Sequence, residues 1–367
     1  MNKDSIPFYA KITIILVGLT VFVLILYAGS QIIVPLIYAT IIAILLNPVV
    51  NFLTRKGLNR VISIAIALAC AIIVLVVLVY FISSQVSRFA ADAPQLSERF
   101  DMLLKQVTDW ISSTFHISSK QVKQWMESTK STAVENSGLM IGKTILTLSG
   151  AAVLLLLMPV YIFMILFYKV LLLEFLKKLF DHSQHDKVAE VLMETKGLIQ
   201  SYLMGLLIEA GIVAVLNSAA LLALGIRYAI LLGIIGALLN IIPYIGGIIA
   251  VALPMIIALI TKDEPSYALL VLAAYSVIQF ADNNFFVPKI VASKVKINAL
   301  VSIIAVLVGN ALWGVPGMFL SIPLTAIIKV IFDRIENLKA WGFLLGDNMP
   351  HPAKIIFNFN RRKKRAG

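Results

Sequence analysis

Apolar stretches long enough, or nearly long enough, to cross a bilayer follow one another along this chain. Nothing else constrains its fold as strongly, because about 20 apolar residues are what a helix needs to span the hydrocarbon core. Residues 12–28, 32–50, 61–83, 145–168, 199–224 and 267–281 read as such segments. Two more stretches, 228–260 and 299–331, are longer and are interrupted by Asn, Pro and Gly. The composition agrees: 60% of the 367 residues are hydrophobic and 14% charged, against about 45–50% and 25% in soluble domains. A single cysteine, Cys70, excludes a disulfide framework and a multi-cysteine metal site.

Lys and Arg number 31 against 19 Asp and Glu. In a membrane protein such an excess marks cytoplasmic edges rather than nucleic-acid binding. Arg55, Lys56 and Arg60 follow the second segment, Lys289, Lys294 and Lys296 follow 267–281, and the tail ends in Arg361, Arg362, Lys363, Lys364 and Arg365. All fall on one side if each interrupted stretch enters and leaves on the same side. Both termini are therefore expected in the cytoplasm, although Lys143, Arg227 and Lys262 fall on the other side. Lys3 and Lys11, the first apolar run and then Ala28, Gly29 and Ser30 resemble a signal peptide. The run exceeds the usual core of about 7–15 residues and a second follows at once, so an uncleaved first helix is expected.

The expected organisation is membrane helices over 1–83, an external helical insert over 84–144 and a further span over 145–168. A cytoplasmic amphipathic segment over 169–198 follows, then a transport core over 199–335 and a basic cytoplasmic tail over 336–367. In the insert, Leu96, Phe100, Leu103, Leu104, Val107, Trp110 and Ile111 recur at helical spacing. Pro94 suits that helix's first turn, and Ser118 with Gln121 reads as the cap of a second helix. The apolar stripe is expected to pack on neighbouring helices or subunits. His182 and His185 sit three apart in the amphipathic segment. Nothing nearby completes a metal site, so neither metal nor cofactor is expected.

Backbone that leaves the helix inside a membrane must find partners or line a wet cavity, since lipid offers no hydrogen bonds. Asn240, Pro243, Tyr244, Gly246 and Gly247 break one stretch; Asn310, Trp313, Gly314, Pro316 and Gly317 break the other. Each reads as two short helices or a re-entrant hairpin. Each follows one full segment, and by the charge argument those two segments run oppositely. That is the pattern of an inverted-topology repeat, in which broken helices meet at a substrate site near the midplane. Pro and Gly that only tune close helix packing give a similar pattern. The expected fold is an all-α membrane protein with about eight transmembrane segments, counting the two helix-break hairpins, plus the small external insert.

Polar side chains within such segments are costly and mark pathways. Glu209 is the sharpest, a carboxylate able to carry a proton or cation, or else to pair helices. Asn217 lies eight residues on, near the same face. Gln279, Asp282, Asn283 and Asn284 precede Phe285, Phe286, Val287 and Pro288, reading either as a gate or ion site or as a polar helix end. Gln200 and Tyr202 open the helix that bears Glu209 and are weaker candidates.

At these motifs the sequence resembles the autoinducer-2 exporter family of bacterial permeases. The resemblance rests on SYLMG (201–205), LGIRYAILLGIIGALLNIIPYIGG (224–247), DNNFFVPKIVASKVKINAL (282–300) and VGNALWGVPGMFLSIPLTAIIKV (308–330). It implies a multi-pass inner-membrane transporter, homo-oligomeric, moving a small-molecule or ion substrate. Members have been linked to export of a small polar signalling molecule and to sodium/proton exchange. The residues themselves carry no phosphate-binding Gly-Lys loop, no His-Glu-x-x-His and no Gly-x-Ser-x-Gly elbow. A secondary transporter is thus the leading expectation and an enzyme is not expected. A passive channel or a membrane scaffold is the alternative.

Overall fold

The computed structural model describes residues 7–115, 156–241, 246–291 and 296–347, which form helices and no strand. Helix α1 (Phe8–Ala28) has no buried residue. It is apolar on every side, as a helix surrounded by lipid must be. Gly29 joins it to α2 (Ser30–Arg55).

Helix α3 (Arg60–Phe115) carries the third apolar segment on into the residues of the expected insert. It runs unbroken for 56 residues, about 84 Å at 1.5 Å per residue, against a hydrocarbon core of about 30 Å. The first insert helix is therefore the far end of this one, and Pro94 lies inside it rather than in a first turn. The extension is held against the rest of the chain. Asp92 accepts a hydrogen bond from the Tyr228 hydroxyl, the rings of Phe89 and Tyr228 meet edge to face at 5.2 Å, and the buried Leu96 faces Leu253, Ile256 and Ile257. The stripe's first turns thus pack on a neighbouring helix, as expected; Trp110 is exposed. The second insert helix, from Ser118, lies outside the described residues.

Helix α4 (Leu156–Phe167) bends by 62° into α5 (Lys169–Lys178). Helix α6 (His185–Ala223) follows and carries Glu209 and Asn217 on its buried face. Helices α7 (Ala229–Asn240) and α8 (Gly246–Thr261) then form a tight antiparallel hairpin. At its tip a Cβ on Gly246 would fall 1.8 Å from the Leu239 carbonyl; at its base a Cβ on Gly225 would approach Lys262 Nζ to 3.1 Å. The arms are 12 and 16 residues long, about 18 and 24 Å, too short to cross.

Helix α9 (Ser266–Ala281) widens into a π-helix over Asp282–Val291. Pro288 accounts for the widening, because a proline ring strikes the carbonyl four residues back in an ordinary α-turn and supplies no N–H. Its last residues cross α6 where Gly205 lets backbones touch: a Cβ there would lie 2.6 Å from the Ile290 carbonyl. The start of α9 packs with the end of α6 around Leu221, Ala268 and Val271. Val291 packs with Tyr202 and Leu206 near the other end. The two helices therefore run antiparallel, as the charge pattern predicts.

Helix α10 (Ala299–Arg334) is broken at Gly314, whose φ of 63° and ψ of −144° are not helical. A Cβ on Gly309 would lie 2.4 Å from the Gly317 carbonyl, whereas eight residues of straight helix span about 12 Å. The helix is folded back on itself. Its ends close on the same side. The Asn298 side chain donates to Leu344 O at 2.7 Å and Gly346 O at 3.0 Å, and Gly346, just past α11 (Lys339–Leu345), lies beside Lys329.

Among the described residues, six helices are long and apolar enough to cross a bilayer when α10 is counted along its whole length, seven if α4 and α5 form one bent span. The all-α membrane fold expected from the sequence is thus present, with the broken stretches realised as hairpins.

Candidate functional site

The tip of the α7–α8 hairpin meets α6, α9 and the π-helical turn around a cavity of about 830 Å³. Its polar wall is a set of side chains far apart in sequence. Asp282 is 1% exposed, and its Oδ2 accepts from Asn240 Nδ2 at 2.9 Å and from Gln279 Nε2 at 3.4 Å. Gln279 Nε2 also donates to Asn283 Oδ1 at 3.2 Å. The other carboxylate oxygen, Asp282 Oδ1, is buried and has no hydrogen-bond partner among the described residues. Glu209, 6% exposed, lines the same cavity from α6.

Local sequence explains why these groups converge. Asn240 ends α7, so its side chain sits at the hairpin tip. Gln279 and Asn283 are four residues apart and share one helical face. Gly247 begins the return arm, where a Cβ would lie 3.4 Å from Gln279 Oε1 and 3.7 Å from Asn240 Oδ1. The backbone of the return arm thus passes within ordinary contact distance of the polar cluster.

Five expected pathway residues therefore share one wall: Glu209, Asn240, Gln279, Asp282 and Asn283. Asn217 lies just behind it; a Cβ on Gly236 would be 3.3 Å from Asn217 Nδ2 and 3.6 Å from the Tyr275 hydroxyl. Gly246 closes the hairpin tip and does not line the cavity. Asn284 donates to Phe280 O at 2.8 Å, and Pro288 is exposed on the π-helix; neither lines the cavity. Asn310 and Pro316 are at the other tip, both exposed, where Tyr38 donates to Pro316 O at 3.0 Å and Trp313 to Leu26 O at 2.9 Å. Pro243 and Tyr244 lie outside the described residues.

The sequence reading passed over Tyr275, Ser276, Lys296 and Ser302, which also line the cavity. Tyr275 had a usable signal: it precedes Gln279 by four and Asp282 by seven residues, one face of a helix. Tyr202, a weaker candidate, is in the wall as well.

A helical membrane protein whose broken hairpin delivers polar groups to a carboxylate-lined cavity has the build of a transporter or permease. The chain belongs to the AI-2E transporter family: it matches the pattern described as "AI-2E family transporter" over residues 14–337. It is similar to "Putative transport protein YhhT" of Escherichia coli (strain K12), 27% identical over 346 residues that cover 93% of each chain. It is also similar to "AI-2 transport protein TqsA" of the same strain, 26% identical over 351 residues, 95% of this chain and 99% of that one. It is a multi-pass protein of a bacterial membrane.

Proposed function

We propose that this protein is a secondary transporter of the inner membrane that moves a small polar solute through the cavity between α6, α7 and α9, exchanging it for a proton or sodium. The carrying observation is a pair of buried carboxylates in one cavity, Glu209 and Asp282, with Asp282 Oδ1 unpartnered among the described residues. Buried charge without compensation is costly, so a site of this kind favours occupation by a cation, a proton or a donor-rich solute. The antiparallel course of α6 and α9, each followed by a folded-back hairpin, supports reading the core as an inverted repeat with alternating access. One relative is named an AI-2 transport protein, which makes autoinducer-2 the first organic solute to test.

Asp282→Leu tests the site. It removes the acceptor of Asn240 and Gln279 within a packed wall, so uptake or efflux in proteoliposomes is expected to fall to the leak of empty vesicles. Flux that persists and ignores the gradient of a second ion would favour a passive channel.

The proposed orientation has both termini in the cytoplasm and the far end of α3 outside. A cysteine at the exposed Ser113, with Cys70 replaced by serine, is expected to react with an impermeant thiol reagent in intact cells. Labelling only after lysis would reverse the orientation. Assembly as a homo-oligomer is part of this reading, and the bare apolar face of α3 from Ile72 to Tyr80 supports cover by lipid or by another copy.

A further inference from the structure

At the end of the bundle where α2 finishes, α3 starts and α4 turns into α5, three cations gather without a carboxylate. Lys169 Nζ donates to Asn47 Oδ1 at 3.1 Å. An Arg60 terminal nitrogen donates to the Leu166 carbonyl at 2.7 Å, one of the last carbonyls of α4, which have no partner within their own helix. Lys196, exposed on α6, is near enough for its charge to act on Lys169. Burial, then the charges of Lys196 and Arg60, hold the Lys169 ammonium below the ordinary lysine range. Among the described residues, no ion pair involves Arg60, Lys169 or Lys196.

Neutral partners use only part of the donor capacity here. A guanidinium carries five N–H donors and an ammonium three, and one of each is engaged. Asn47 is 4% exposed, and its Nδ2 has no partner among the described residues although its oxygen is bonded to Lys169. That bond also fixes which end of the amide is the donor. A set of donors with excess positive charge and an unpartnered buried amide N–H calls for an anion that accepts several hydrogen bonds. Its surroundings indicate which kind. Phe52, Phe167 and Tyr168 are exposed beside it, with Phe167 and Tyr168 stacked edge to face at 4.9 Å. Aromatic residues at the ends of membrane helices mark the headgroup level.

We propose that Arg60, Lys169, Lys196 and Asn47 form a binding site for the phosphate of an anionic phospholipid headgroup, seated between the ends of α2, α3 and α4. A basic pocket between transmembrane helices is a known way to hold such a headgroup. Bound there, the phosphate neutralises the mutual repulsion of the cations and ties α4 and α5 to α2 and α6. This site shares no residue with the lining of the carboxylate cavity and does not depend on the transport reading.

The test is retention of spin-labelled phosphatidylglycerol, against spin-labelled phosphatidylcholine, by the full chain in phosphatidylcholine nanodiscs. The wild type is expected to immobilise the phosphatidylglycerol label preferentially. A basic residue near an anionic surface contributes about 1 kcal/mol, so each lost cation is expected to reduce the preference by about fivefold. Lys196→Gln is the first variant, since Lys196 is exposed; Arg60→Gln combined with Lys169→Gln should abolish the preference. Lys177→Gln with Lys178→Gln, on the same helix α5, should leave it intact. Equal retention of both labels by the wild type, or an undiminished preference in Lys196→Gln, overturns the site. Displacement of the label by millimolar inorganic phosphate overturns the lipid assignment and makes the occupant a soluble phosphate.

Discussion

Glu209→Gln is expected to give an inserted, folded protein whose transport no longer responds to a pH gradient. The substitution keeps the shape and the hydrogen-bonding reach of the side chain and removes only its ability to gain and lose a proton. Glu209 sits in the wall that holds Asp282, with the hydroxyl-bearing Tyr202 and Tyr275 in the same lining. In a cavity where two carboxylates compete for compensation, one that binds and releases a proton can couple solute movement to a gradient. Proton-driven flux in proteoliposomes should fall to the leak of empty vesicles, while the melting temperature of the purified protein stays near that of the wild type. A residue that only pairs helices would tolerate the amide. Full pH-driven flux in the Gln variant would thus eliminate the coupling role and leave Asp282 as the remaining buried carboxylate of the wall.

Gly317→Leu is expected to be the most damaging single change in the second hairpin. A Cβ at this position would lie 2.0 Å from the Gly309 carbonyl and 3.0 Å from Trp313 Cβ. The atom it meets first is backbone, which cannot turn aside as a flexible side chain does. The arms must separate, and Tyr38 and Trp313 would lose the bonds that tie this tip to α2 and α1. Overpacking of this kind costs on the order of 3 kcal/mol, and more when a helix crossing has to open. The readouts are a loss of monodisperse protein in detergent and a lower unfolding temperature. Val315→Leu provides the comparison, since Val315 belongs to the same tip but is exposed and should be tolerated. If Gly317→Leu behaved like Val315→Leu, the arms would not be in the contact described.

Several features of this molecule were legible in residue order because they depend on local physics. Long apolar runs must become membrane helices, and the Asn, Pro and Gly clusters had to interrupt them. The opposed course of α6 and α9 could be read from where Lys and Arg fall, because charge is excluded from the hydrocarbon. The polar residues of α9 were candidates for the same reason, and Gln279, Asp282 and Asn283 do line the cavity.

Other features depended on distances that residue order does not contain. The end of α3 has no local stop signal strong enough to separate it from the insert. Pro94 looked like a helix start, yet the helix continues through it, held by Tyr228 and by the face of α8. The two breaks looked alike in composition, but only the first brings polar side chains to the carboxylates; the second is stapled to α1 and α2 and leaves Asn310 and Pro316 exposed. Which polar residue joins a site is decided by which hairpin tip reaches it. Asn240 meets Asp282 across 42 positions of chain because Gly233 and Gly236 let α7 lie close against α6 and its neighbours. The sequence by itself determined that this chain lives in a membrane, where its helices break and which costly polar groups they carry. Only the packing of the arms decided which of those groups share a cavity, because that depends on backbone approach distances of a few ångströms between segments far apart in the chain.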